Sequence, residues 1–223
     1  LNLSDLRTHV RSLTAIQSTD ILSNADLDIF INEAYFEICR DADWPFLRAE
    51  TSLTISTGVD TYALPAGVQE TRIASFSSLN TNDSNRRQLR PRSRFSTDDS
   101  PGPLINGRPL EYSCWTGYVK LFPVPDAAET LTIRYYTFPA KLTNTSDVPV
   151  FDEKFHTLIA YGASVRVLVR EGDDTERRGY YLTQFKNGME QMKTDYLSER
   201  DQSLLRLGGR RRVFPRRRNT YGV

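Results

Sequence analysis

The sequence is poor in the residues that build chemistry. It has two Cys and two His in 223 residues. Cys39 and Cys114 are far apart and neither has a CxxC partner, so a disulfide framework and a cysteine-rich zinc site are both excluded. Cys39 falls in a helical pattern and Cys114 in a strand pattern, and both are expected as buried free thiols. His9 and His156 have no Cys or carboxylate neighbours at metal-ligand spacing, so no metal site is expected. His156 follows Phe155 on an amphipathic stretch and reads as a hydrogen-bonded helix residue. Runs of about 18 apolar residues are missing, which excludes an ordinary membrane span. The first residues also lack the pattern of a signal peptide.

Other chemical signatures are missing too. There is no GxSxG elbow and no nucleophilic Cys with a recognisable local context. Gly102 to Gly107 lacks the Lys-Ser/Thr of a phosphate loop. Asp26 and Asp28 point about 200° apart on a helix, so they do not chelate one ion together. Glu33 and Glu37 share a face but alone form an exposed acidic stripe. The expectation is a protein that is not an enzyme and holds no cofactor.

Enough is present for a real core, with 39% hydrophobic and 11% aromatic residues. The formal net charge of +1 conceals an asymmetry. Residues 206–223, RLGGRRRVFPRRRNTYGV, carry seven Arg and no acidic residue, which leaves a body of net charge −6. A mildly acidic body with a basic tail differs from a uniformly basic nucleic-acid binder.

Helical periodicity marks residues 4–17, with Leu6, Val10 and Leu13 on one face and Ser4 as cap. A second helix opens at Ser23, where Ser23 and Asp26 fit a capping box. It closes near Asp41, because Trp44 precedes Pro45. The middle of the chain is β-rich. Leu53 to Pro65 reads as a hairpin turning at Thr57 to Asp60, Ile73–Phe76 as a short strand, and 80–108 as a long polar loop. Tyr112–Trp115 and Tyr118–Phe122 form a hairpin across Thr116-Gly117, and Leu131, Ile133 and Tyr135 alternate in a further strand. The aromatic set Tyr112, Trp115, Tyr118, Phe122, Tyr135 and Tyr136 reads as cross-strand packing in preference to a base-stacking platform.

Helix returns at 151–171, with Phe155, Leu158, Gly162, Val165 and Val169 on one face. A long helix follows from about 175 to 205, with Tyr181, Phe185, Met189, Met192 and Tyr196 in a stripe. Gly188 interrupts it, and Gly208-Gly209 stops it. The expected fold class is α+β. Helices at 1–45 and 148–206 form a bundle, 46–147 is an inserted β-rich domain, and 207–223 is an extended basic arm.

A family resemblance is carried by FINEAYFEICRDADWPFL (30–47), TYALP (61–65), GRP with Tyr112 (107–112) and LFPVPD (121–126). It continues through IRYYTFPAKL (133–142), DVPVFDEKFHTLIAYGAS (147–164) and YYLTQF (180–185). In order and spacing over residues 24–196 the chain resembles the head–tail connector, or adaptor, proteins of tailed bacteriophages, particularly short-tailed ones. The resemblance implies a structural virion protein assembled in the host cytoplasm. It implies a self-associated ring, usually twelvefold, docked below the portal protein, which extends the DNA channel. A downstream tail nozzle or tube protein, and tail fibres, are the further partners implied.

The arm then reads as a portal-docking segment. A tail after a glycine pair buries too little surface to order itself. Phe214, with Val213 and Pro215, and Tyr221 are its apolar anchors. Arg210, Arg211, Arg212, Arg216, Arg217 and Arg218 are suited to paired contacts with carboxylates. The alternative is a nucleic-acid-binding arm working through counterion release. The acidic body and the Val-Phe-Pro centre favour a protein partner.

Overall fold

A computed structural model of the chain describes residues 1–19, 21–69, 72–80, 86–93, 105–172 and 175–208; the side chains of 79, 80, 86 and 198–208 are not among those described. The protein is mixed α+β, and its described residues form four α-helices and two four-stranded sheets.

The first two helices, α1 (Leu3–Thr14) and α2 (Asn24–Asp41), are defined by their ends. Asn2, not Ser4, caps α1. Its side-chain oxygen accepts from Asp5 N while the Asp5 carboxylate accepts from Asn2 N, a reciprocal arrangement that places Ser4 inside the first turn. The helix stops at Thr14, earlier than periodicity suggested, because Ala15 turns into the left-handed region at φ 60°. Ser23 caps α2 as expected, accepting from Asp26 N at 3.1 Å. Pro45 opens a single 3₁₀ turn over Pro45–Leu47 that leads into the β region.

The strands are β1 (Arg48–Ile55), β2 (Thr61–Ala63), β3 (Ile73–Asn80), β4 (Arg86–Gln88), β5 (Arg90–Pro91), β6 (Glu111–Trp115), β7 (Tyr118–Phe122) and β8 (Glu129–Tyr136). One sheet has the order β1-β8-β3-β4 and the other β2-β7-β6-β5. The hairpin expected at 53–65 does not form, because β1 pairs with β8 while β2 pairs with β7. The intervening turn instead carries the chain from one sheet to the other. The Tyr62 hydroxyl ties that turn together, donating toward the Ser56 and Val59 carbonyls and accepting from Ser56 N.

The segment 80–108, expected as loop throughout, contains β4 and β5. Here too the chain changes sheets. Leu89 donates its N–H to Phe76 O of the first sheet, and Arg90 donates to Leu110 O beside the second. Leu89 itself is buried, joining Ile55, Phe76, Val119, Leu121, Leu131 and Ile133 in the core between the sheets. The β6–β7 hairpin forms as expected, its turn requiring positive φ at Thr116 (47°) and Gly117 (80°).

The last two helices are α3 (His156–Glu171) and α4 (Thr175–Gly208). α1, α2 and α4 all pack on α3, which is why α3 buries more than one face. Val169 is the exception to its expected stripe and is exposed. The α4 stripe holds better: Phe185, Met189 and Met192 are buried and Tyr181 and Tyr196 half-buried. Phe185, Met189 and Met192, with Tyr196 packed against them, share one core with Leu6, Ile31, Tyr35 and Ile159. The helix continues to Gly208, two residues into the segment read from sequence as arm.

Candidate interaction surface

The residues assigned to docking from sequence, Arg210, Arg211, Arg212, Val213, Phe214, Pro215, Arg216, Arg217, Arg218 and Tyr221, lie outside the described residues. The described residues instead define two surface features and an aromatic cluster that precede that segment in the chain.

The first feature is an aromatic cluster around Tyr196. Tyr196 of α4 meets Phe46 at 5.2 Å and Trp44 at 6.0 Å, both edge-on, and Phe155 at 5.8 Å. Such pairs contribute about 0.5–1.5 kcal/mol each beyond simple burial. The Trp44 indole N–H is satisfied by Ile38 O at 2.7 Å, and the Tyr196 hydroxyl accepts from Asp152 N at 3.2 Å. His156 completes the cluster. Its Nε2 lies 2.8 Å from Phe151 O, its ring packs on Phe151, and burial pushes its pKa below the ordinary imidazole range. It is thus the hydrogen-bonded helix residue expected, more buried than its polarity suggested.

A second feature is the charged outer face of α2 against α3. Arg166 pairs with Glu33 at 3.3 Å and also with Glu37. Arg170 pairs with Asp26 at 3.0 Å, which holds the Asp26 carboxyl below its usual range. Arg7 grips Asp28 through two bonds of 2.6 and 2.7 Å. The acidic stripe of Glu33 and Glu37 is therefore paired with Arg166 of α3, and Asp26 and Asp28 serve different arginines. Among the described residues no group of three or more His, Cys, Asp or Glu is arranged to hold a metal ion.

Exposed apolar side chains gather beside this face. Phe36 packs on Phe138 at 5.0 Å, and the Arg40 guanidinium covers Phe138 at 5.1 Å. Phe138, Val148 and Val150 are exposed along a groove of about 440 Å³ floored by Tyr35 and Leu142. The sheet aromatics do not form one stacking platform. Tyr112 packs on Phe76 at 4.3 Å, Tyr136 belongs to the helical core, and Tyr118 faces outward.

A family model described as SU10 adaptor protein matches residues 1–213. The chain belongs to the SU10 adaptor protein family. The adaptor match covers both the helical core and the two sheets, so neither is an appendage foreign to the family. It runs through Arg212 and Val213 and stops before Phe214, so the second Arg triplet and Tyr221 fall beyond it. The adaptor is a structural phage component of the virion. Among its described residues no helix is long and apolar enough to cross a membrane. No curated protein matches the chain.

Proposed function

We propose that this adaptor forms a ring beneath the portal, extends the DNA channel, and presents a surface to the next tail component. The match of the family model over residues 1–213 carries the reading. Two cores, one among helices and one between sheets, suit a subunit with separate tasks at its two ends. In this reading 1–45 and 148–206 form the ring-building unit, 46–147 meets tail tube or fibre proteins, and 207–223 reaches the portal. Copies repeated around the portal, twelve in the usual arrangement of such connectors, multiply a modest contact per arm.

Phe214 is the centre of the arm's contact, with Val213, Pro215 and Tyr221 in portal pockets and the arginines on acidic side chains. Electron microscopy of the purified chain, alone and mixed with portal, tests the ring. A closed ring on the portal is the expected result, and failure to associate with portal overturns it. Removing residues 209–223 tests the arm. Loss of portal binding is expected. Unchanged binding to portal, with submicromolar duplex DNA affinity lost at near-physiological salt, assigns the arm to nucleic acid instead.

A further inference from the structure

Two grooves meet along the outer side of α2, and they differ in chemistry. The first, of about 740 Å³, lies between α2 and α3 and carries Glu33, Glu37 and Asp41. Arg166 pairs with both glutamates, yet their side chains stay 55% and 52% exposed, which leaves room for further donors. The second is the apolar groove described above, walled by Phe138, Val148 and Val150. Phe36 lines the first and Phe138 the second, and their rings lie 5.0 Å apart. An acidic stretch thus runs directly into an apolar one. Apolar groups exposed together in one concave place mark a contact site.

Chemistry identifies the occupant. The chain's own tail has the complementary order, with Arg210, Arg211 and Arg212 followed at once by Val213, Phe214 and Pro215. Arginines meet carboxylates in paired bonds, and an aromatic side chain is the usual anchor in an apolar pocket. Net charge points the same way. Residues 1–45 hold eight Asp or Glu against three Arg, whereas 206–223 hold seven Arg and no acid.

Helix direction decides whose tail it is. At Gly162, α3 approaches both Ala34 of α2 and Phe185 of α4, and Lys193 of α4 pairs with Asp41 of α2 at 3.0 Å. α2 and α4 therefore run in the same direction, and α4 passes the Asp41 end of the groove at Lys193. It continues to Gly208, about 22 Å farther along the helix. Phe214 is six residues beyond, a reach of about 20 Å at full extension, which falls short of its own Phe138. We propose that, until the portal is met, residues 210–215 of one copy dock in the joined grooves of another, the Arg triplet on Glu33 and Glu37 and Phe214 against Phe138 and Val148. The contact is head-to-tail from copy to copy. The proposal rests on the portal-docking reading of the arm and adds where that arm lies in the portal-free protein.

The test uses the full chain with p-benzoylphenylalanine in place of Phe214, prepared as a mixture of isotopically heavy and light copies and irradiated with and without portal. Expected without portal are covalent dimers that join a heavy tail to a light copy, and the reverse, within residues 33–41 or 137–150. Adding portal should move the linkage onto the portal. Glu33→Lys combined with Val148→Lys should cut linkage between copies at least tenfold, and both side chains are more than half exposed in the folded chain. If that variant does not fold, the linked positions decide alone. Linkage confined to single copies, linkage at other positions, or no linkage without portal overturns the proposal; tails that then link to added portal leave the portal-docking reading standing. Groove linkage that persists unchanged with portal present keeps the proposal and overturns the portal-docking reading.

Discussion

A Cβ placed on Gly188 would lie 2.0 Å from Cδ2 of Leu158, so α3 and α4 approach closely enough here that any larger residue requires Leu158 to shift. Gly162 marks a second close approach, where a Cβ would come within 3.0 Å of both Ala34 and Phe185. The two positions explain why a glycine persists inside a long helix. Alanine at such a site gains about 1 kcal/mol in helix propensity, while overpacking a filled core costs about 1–3 kcal/mol. Leu158 is buried and has little room to turn aside. Gly188→Ala is therefore expected to lower stability by about 0–2 kcal/mol in urea unfolding. In a Leu158→Ala background the same change becomes neutral or stabilising. A stabilised single variant would contradict the close crossing.

Asn32 is the polar residue on which the connection after β8 depends. Its side-chain amide donates to Leu142 O at 3.0 Å and accepts from Leu142 N at 2.8 Å, both in buried surroundings. Replacing Asn32 with Leu keeps the number and branching of side-chain heavy atoms and leaves both main-chain groups of Leu142 unpaired, each at a cost of about 1–3 kcal/mol. Asn32→Leu should lose about 2–4 kcal/mol, read from the unfolding midpoint. Stability within 1 kcal/mol of the parent would refute this account of the anchor.

Signals in the sequence are legible where their cause is local. The Ser23 cap, the Thr116-Gly117 turn and the α4 stripe each depend on residues within a few positions of one another. Partnership across the fold was not legible in that way. Periodicity marked Leu53–Ile55 and Thr61–Ala63 as extended, but alternation does not say which strand lies alongside, and the two entered different sheets. Asn32 sat in an otherwise apolar face without any sequence signal that its partner was a main chain 110 positions away. The Arg166 contacts with Glu33 and Glu37 were hidden for the same reason.

Cys39 and Cys114 should behave differently toward thiol reagents. Burial pushes the Cys39 thiol up to about 12, and its side chain has no solvent exposure, whereas Cys114 is only half-buried and so departs from the expectation that both would be buried. Thiolate is the reactive form, so Cys39 stays protonated and shielded in the folded chain. Brief labelling with a maleimide at neutral pH should modify Cys114 alone, and labelling in denaturant should modify both. Equal labelling of the two cysteines in the folded chain would rule this out.

His156 gives the fold a sensitivity to mild acid. The folded imidazole is held below its ordinary range first by burial, with the Phe151 carbonyl and Glu153 acting in the opposite direction. In the unfolded chain it titrates near 6.5. Between those two values the unfolded state binds more protons, so stability falls as the pH drops through about 6.5 and is complete above it. The carboxylates held low by their partners, Asp26 and Asp147 among them, lose their contributions only below about pH 4. The interval from pH 7 to 5 therefore isolates the imidazole from them. Urea unfolding across that interval should show stability declining with acid, and His156→Gln, which keeps a donor for Phe151 O, should flatten the decline. An identical slope in the variant would place the sensitivity elsewhere.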